Sequence, residues 1–336
     1  MRNGCPVIFT AFVLFTAPAA AQAPAPLAKA RPESSKSWMP TRTPNGQPDL
    51  QGIWTNSTMT PLERPRALGD KAFFTPQEAA DRDKRVLEEV STDRRDGPAE
   101  VDVNRSYNEL WRERGHLLLR TSLIVDPPDG RLPALTPEGQ KREQARAEDR
   151  RRRGPDPADS WTDRNLAERC ITRGAPKLPG GYNNNFQIYQ TRNSVVMVQE
   201  MIHEARVIRL DGSPHIDPKI RLWMGDSIGH WEGDTLVVDT TNYNDKIVDN
   251  SFNCCPGARS GLHVVERFRR VDAGRIDYRY TVEDPNTYTR TWTAEVPMTK
   301  IDEPIFEYAC HEGNYALPDI LAGARAKEAE AAAGKK

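Results

Sequence analysis

The chain is short of several things, and each shortage closes off a class of function. It has almost no net charge: 47 Lys+Arg against 48 Asp+Glu give a formal −1 over 336 residues, so there is no bulk positive field to hold nucleic acid. It contains no HExxH, no P-loop and no glycine-rich dinucleotide turn following a strand. The common zinc-peptidase and nucleotide-cofactor plans therefore lack their usual residues. Aromatic residues make up only 7%, and no stretch approaches the roughly 20 apolar residues of a membrane-spanning helix. What is plentiful is charge, at 28%, and proline, with 27 residues. That composition suits a folded core with polar, proline-punctuated excursions.

The first residues set the expected compartment. Arg2 precedes an apolar stretch from Val7 to Phe15, and Ala19-Ala20-Ala21 supplies the small residues of a cleavage site, so residues 1–21 read as a signal peptide cut after Ala21. The mature protein is expected to be exported, periplasmic or secreted, with no membrane span. Residues 22–47, rich in Pro, Ala, Ser and Lys, read as a flexible leader. Residues 48–163 form a mixed, helix-rich section ending in the Gly154–Asp163 linker. Residues 164–316 form an antiparallel β-domain, and residues 317–336 a C-terminal helix and tail.

Four cysteines remain after cleavage, Cys170, Cys254, Cys255 and Cys310, and an oxidising compartment favours disulfides among them. Three pairings are open. We favour Cys170–Cys310, with Cys254-Cys255 a vicinal pair or free. A zinc-thiolate reading lacks the CxxC spacing.

In the N-terminal section, Thr75 with Pro76 and Glu78 makes a capping box ahead of a helix to Val90. A second helical stretch is read over Tyr107–Leu119, and a third from Thr136 to the run Arg150-Arg151-Arg152-Arg153. That run lies near Glu143, Glu148 and Asp149 with no interleaved aromatic residue, so it reads as a solvated helix end, not a nucleic-acid patch. From Gly181 the apolar period becomes two. Strands are expected at 186–189, 195–201, 203–210, 220–223, 235–240, 262–271, 275–283, 288–296 and 305–308, separated by turns such as Asp211-Gly212 and Ala273-Gly274. An antiparallel meander with one apolar face closes economically into a barrel or a strongly curled sheet. The expected fold class is thus mainly β.

Gly52-Ile53-Trp54 at the first strand resembles the opening of the lipocalin-like barrels, where the tryptophan closes one end of a cup. Three longer strings, beginning at Pro48-Asp49-Leu50-Gln51-Gly52-Ile53-Trp54, Trp231-Glu232-Gly233-Asp234 and Tyr308-Ala309-Cys310-His311, resemble strings of a group of exported bacterial proteins whose activity is uncharacterised. That resemblance implies kinship and export and carries no activity.

A cofactor-free acid/base site needs groups that titrate near the working pH, and six histidines are the obvious suppliers. Strand alternation sets His203 with Met197, Met201 and Val207, pointing inward, while Glu200, Glu204 and Arg206 point outward. A core histidine bonded to backbone would satisfy the same pattern. His311-Glu312 follows Cys310, and a Cys170–Cys310 bridge would bring Tyr182 and Asn184 near. His230 sits in a polar bend, which a tight turn also explains. Glu266 and Asp239 lie on faces that require a partner if they turn inward. The expected function is a cofactor-independent hydrolase or lyase acting on a small aromatic molecule in the barrel. His203 and His311 would exchange protons, Glu312 or Asp239 would orient them, and Tyr182, Asn184, His230, Tyr280 and Trp292 would bind substrate. The alternative is a non-catalytic binding protein using the same cavity. No metal is expected, since no His-x-His spacing occurs.

Overall fold

The computed structural model describes residues 38–93, 108–154, 156–244 and 261–334. The expected signal peptide, most of the expected leader, Cys254-Cys255 and Asn104-Arg105-Ser106, which fits a glycosylation sequon, lie outside the described residues.

Eleven strands carry the architecture: β1 (Gly52–Thr55), β2 (Ile124–Asp126), β3 (Asn185–Gln190), β4 (Ser194–Gln199), β5 (Ala205–Arg209), β6 (Asp226–Glu232), β7 (Thr235–Thr241), β8 (His263–Asp272), β9 (Arg275–Glu283), β10 (Trp292–Glu295) and β11 (Met298–Ile301). They pair in the order β11-β1-β3-β4-β5-β6-β7-β8-β9, and β9 returns to β11, closing a nine-strand barrel. The far edge of β9 is shared. Arg275 and Ile276 face β11 while Arg279 to Val282 face β10, which carries β2 as a flap. β1 comes from before the Gly154–Asp163 linker yet stands as a stave between β11 and β3.

The expected barrel is therefore present, with one change of direction: β5 and β6 are parallel. The cause is a long crossover, residues 210–225, that runs back along the flank instead of turning as a hairpin. Asn242 Nδ2 fastens it by donating to the carbonyls of Ile216, Asp217 and Ile220. Residues 220–223, expected as a strand, lie in this crossover, and Asp226–Glu232, read as a polar bend, is β6. Gly229 is what lets β6 lie so close, since a Cβ there would stand 2.9 Å from Ile208 Cγ2. Residues 305–308 form no strand either.

Alternation fills the interior. Val195, Met197, Ile208, Leu236, Val238, Val264, Phe268, Ile276, Tyr278, Tyr280 and Val282 are all buried. At the lower end, where the β6–β7 and β8–β9 turns lie, Trp54 is wholly buried and its Nε1 donates to Leu50 O at 2.9 Å. The Arg270 guanidinium packs over Trp54 and Trp38. Thr43 is buried and Arg42 pairs with Asp234, so packed chain is present ahead of Pro48.

Three α-helices decorate the barrel among the described residues: α1 (Pro76–Val90), α2 (Pro137–Arg153) and α3 (Ala316–Ala333). The Thr75 capping box forms as read, and the arginine run at the end of α2 is tied to Asp149, Asp159 and Asp163. Tyr107–Leu119 is not a helix in its described part, which has only a short 3-10 turn at Glu109–Trp111. Leu110 and Trp111 are exposed, and Gly115 takes φ +63. The segment runs as an extended strap because its amides bond outward: Glu113 N to Gly181 O, Leu117 N to Asp83 Oδ1 and Leu118 N to Thr60 Oγ1. α1 supplies Asp83, which also takes His116 Nδ1 at 2.6 Å. The strap delivers Glu113 to the upper end of the barrel.

Candidate functional site

The upper end is where β3 begins and β4 ends, and its backbone differs from the rest of the molecule. All five non-glycine residues with positive φ among the described residues, Cys170, Asn183, Ile202, His203 and Asn242, lie there. Such conformations cost of order 1–3 kcal/mol each and concentrate at functional sites. The segment from Cys170 to Asn185 roofs this end, and the Cys170–Cys310 disulfide ties it to the chain leading into α3. Tyr243 donates its hydroxyl to Ala175 O at 3.1 Å, and Asn56 Nδ2 donates to Lys177 O at 3.1 Å. Asn56, the first residue of a glycosylation sequon, is thus buried as part of the roof.

Lys177 hangs from this roof. Its side chain is buried at 6% exposure, and its amine lies 5.7 Å from the centre of the Phe186 ring. It donates to Asn184 Oδ1 at 3.2 Å and has no carboxylate in ion-pair contact among the described residues. Burial, with the nearby Arg173 charge, pushes the amine down to about 7, against the pull of Glu113 and Glu200. Asn184 is fully buried and saturated. Its Oδ1 also takes Gly180 N at 2.7 Å, its Nδ2 donates to Glu113 O and Gly180 O, and its own N donates to Glu113 Oε2.

Two carboxyls beside the roof are displaced upward. Burial pushes Glu204 up to about 7, against hydrogen bonds from Thr172 Oγ1 at 2.5 Å and from the Arg173 backbone. Burial also raises Glu200, which accepts from Asn185 Nδ2 at 2.8 Å and from Phe306 N at 3.1 Å. An amine lowered to about 7 and a carboxyl raised to about 7 lie at the same end of the barrel, and perturbed groups of this kind cluster at functional sites.

Below Lys177 the barrel holds a buried polar network. Arg206 grips Glu266 through both terminal nitrogens. Its Nε donates to Ser227 Oγ at 2.9 Å and its Nη2 to Thr240 Oγ1 at 2.7 Å, while Tyr278 donates to Glu266 Oε1 at 2.7 Å. Burial opposes the Arg206 charge, but Glu266 holds that charge in place. Between network and roof lies a cavity of about 20 Å³, lined among others by Pro176, Lys177, Phe186, Gln199 and Met298. That is room for about one water-sized group. Gln199 is 3% exposed, and its Oε1 has no hydrogen-bond partner among the described residues.

The expected site residues divide. Tyr182 and Asn184 both lie in the segment that roofs the upper end, Tyr182 under the Arg112 guanidinium and Asn184 on Lys177. His203 is at the same end but points out, its Nδ1 donating to Tyr308 O at 2.9 Å. The correction has a local cause: a 3-10 turn at Met201–His203, with positive φ at Ile202 and His203, reverses the parity of β5. Arg206 is buried and Val207 exposed, the opposite of simple alternation. His311 and Glu312 are exposed beside Cys310. His230 is exposed on β6 against Glu232. Tyr280 and Trp292 are fully buried and pack edge to face at 5.9 Å, within the core and not on a free cavity wall.

Asp239 faces outward and joins a different group. Its two oxygens take His215 Nε2 and His263 Nε2, each at 3.0 Å; His215 Nδ1 reaches Asp226 at 2.8 Å and His263 Nδ1 reaches Glu283 at 3.1 Å. The hydrogen bond to Asp239, reinforced by Glu283, raises His263 to about 9 despite partial burial. The crossover places His215 in this chain, which sequence spacing did not reveal. Neither did spacing reveal Lys177, a lone lysine between Pro176 and Leu178. No group of three or more metal-ligating side chains is arranged around a common point among the described residues.

No family model, curated protein or solved structure matches the chain. The site's chemistry is therefore read from its residues.

Proposed function

We propose that the protein is an exported, cofactor-independent enzyme, a hydrolase or lyase, that works by acid–base chemistry at the upper mouth of the barrel. The observation that carries this reading is Lys177: a buried amine, without an ion-pair partner among the described residues, held down to about 7 beside a small cavity. Glu200 and Glu204 supply the acid side, and Asn184 fixes the amine. With about 20 Å³ available, only the reactive end of a small molecule enters, and the remainder rests against the roof. The Cys170–Cys310 bridge and the expected signal peptide support export, and no helix of the described residues is long and apolar enough to cross a membrane.

The test is a substrate panel of phenolic esters, glycosides and small hydroxy-carbonyl compounds, run on the disulfide-intact protein beside Lys177→Met and Glu204→Gln. Turnover governed by a group near pH 7, and reduced about 10²–10⁴-fold in both variants, is expected of positioned acid–base groups. Saturable binding with no turnover would instead favour a binding protein, the reading that shares the same mouth. Turnover indifferent to both substitutions would place the chemistry elsewhere.

A further inference from the structure

The surroundings of Lys177 suit an amine that attacks a carbonyl better than one that props up the fold. Asn184, its only hydrogen-bond acceptor among the described residues, keeps Gly180 N as a donor to the same oxygen, so the roof does not need the lysine to satisfy it. The amine borders a cavity sized for one water-sized group, and the same cavity is lined by Gln199, buried with an acceptor oxygen unpartnered among the described residues. Phe186, Met197, Phe268 and Met298 make the remaining wall apolar. A water-sized site lined by an amine-bearing residue and by a glutamine with an unpaired acceptor suits a carbonyl oxygen that becomes a hydroxyl.

Resting on the acid–base reading above, we propose that Lys177 forms an imine with a small aliphatic aldehyde or ketone, its carbonyl oxygen seated in the cavity beside Gln199. The Nζ lone pair forms the C–N bond as the C=O π pair moves to oxygen, and one amine proton passes to that oxygen. The resulting carbinolamine donates its O–H to Gln199 Oε1. The second amine proton then leaves with the hydroxyl as water while the nitrogen pair closes the C=N bond. Amine plus carbonyl gives imine plus water, with no oxidant, reductant or further reactant. The imine draws electrons from the adjoining carbon, so a bond one atom further out can break, which selects the lyase half of the proposed function. The lowered proton affinity of Lys177 supports the step: at neutral pH the amine is about a thousandfold more deprotonated than an exposed lysine with a pKa of about 10.4.

Propionaldehyde with cyanoborohydride at neutral pH, applied to the full disulfide-bonded chain, traps the imine as a stable propyl amine that peptide mass mapping locates. The expected result is modification of Lys177 at least about tenfold above any other lysine, abolished in Lys177→Met and in the charge-keeping Lys177→Arg. Gln199→Leu is expected to slow the reaction by about tenfold, the worth of one hydrogen bond. Far-UV circular dichroism of each variant separates lost chemistry from lost fold, and the arginine variant serves if the methionine variant misfolds. An adduct spread evenly over surface lysines overturns the proposal. So does an unmodified Lys177 in a protein whose turnover still falls on Glu204→Gln, an outcome that leaves the acid–base reading standing. A Lys177 adduct in a protein that turns over nothing upholds the imine and removes the enzyme reading.

Discussion

The two ends of the barrel solve the same problem, closing a ring of strands, with opposite means. At the lower end the positive-φ positions are glycines, Gly52 and Gly233 among them, and the closing residues are Leu50 and Trp54, wholly buried, with Arg270 lying flat on the indole. Every choice there is the cheap one: glycine where the backbone turns left-handed, apolar surface where water is excluded. At the upper end glycines such as Gly174 and Gly225 are joined by five non-glycine left-handed positions, Cys170, Asn183, Ile202, His203 and Asn242, and the roof buries a lysine beside two raised carboxyls. The lower end spends its residues on stability. The upper end holds groups in states that folding alone would not select, which is the usual sign that something else is being selected.

The largest effect expected from this contrast is at the lower end. Trp54→Ala removes a fully buried indole and its hydrogen bond to Leu50 O, and is expected to cost about 3–5 kcal/mol in chemical denaturation. A loss under about 1 kcal/mol would mean that the lower end is not the closed end of the core. At the upper end the sign reverses. Lys177→Met swaps a buried amine, protonated in the unfolded chain at neutral pH, for an apolar chain of similar length, and Asn184 keeps its other donor, so stability at neutral pH is expected to rise by on the order of 1–4 kcal/mol while turnover is lost. A destabilised Lys177→Met would recast the lysine as a structural pillar and erase the contrast.

A smaller effect tests the strain directly. His203 is exposed with φ 43, so His203→Gly relieves a backbone cost of about 1–3 kcal/mol against about 0.4–1 kcal/mol of added unfolded-chain entropy and about 1 kcal/mol for the Tyr308 hydrogen bond, and is expected to be neutral to modestly stabilising. Loss of turnover in that variant, with the fold intact, would return His203 to the chemistry that its place in the sequence suggested.

How much was legible follows the same division. The lower end and the barrel wall could be read because they obey rules of period two and of turn glycines: Ile276, Tyr278, Tyr280 and Val282 face inward as alternation requires. The capping box at Thr75 was legible for the same reason, being local. The upper end was not, because one non-glycine turn at Met201–His203 reverses the parity of everything after it up to Arg209. Alternation alone sends Arg206 outward, whereas in the fold it is the buried partner of Glu266. Asp239 was expected to need a partner if it turned inward; it faces outward instead, and His215 reaches it only through a crossover whose path is set by tertiary contacts such as those of Asn242. Lys177 carried no periodic signal, since its burial is made by the strap from α1 and by the roof, elements distant in sequence.

The smallest expected effect is also the one that reads both kinds of group together. His263, on the flank, is raised to about 9 from 6.5 by Asp239 and Glu283. Its contribution to stability is therefore fully present below about pH 6.5 and fades as the pH climbs through 9. Lys177 is lowered to about 7 from 10.5. The unfolded chain binds its proton between those values and the folded chain does not, so its contribution rises across that window. Between pH 7 and 9 the two slopes oppose each other and the wild-type stability curve is expected to be nearly flat. Lys177→Met leaves only the falling slope, and His263→Gln leaves only the rising one. Denaturation midpoints taken at half-unit steps from pH 6 to 10 separate the three curves. Parallel curves for wild type and Lys177→Met would show that the lysine titrates in the folded protein as it does in water, and the amine at the mouth would then be an ordinary ammonium.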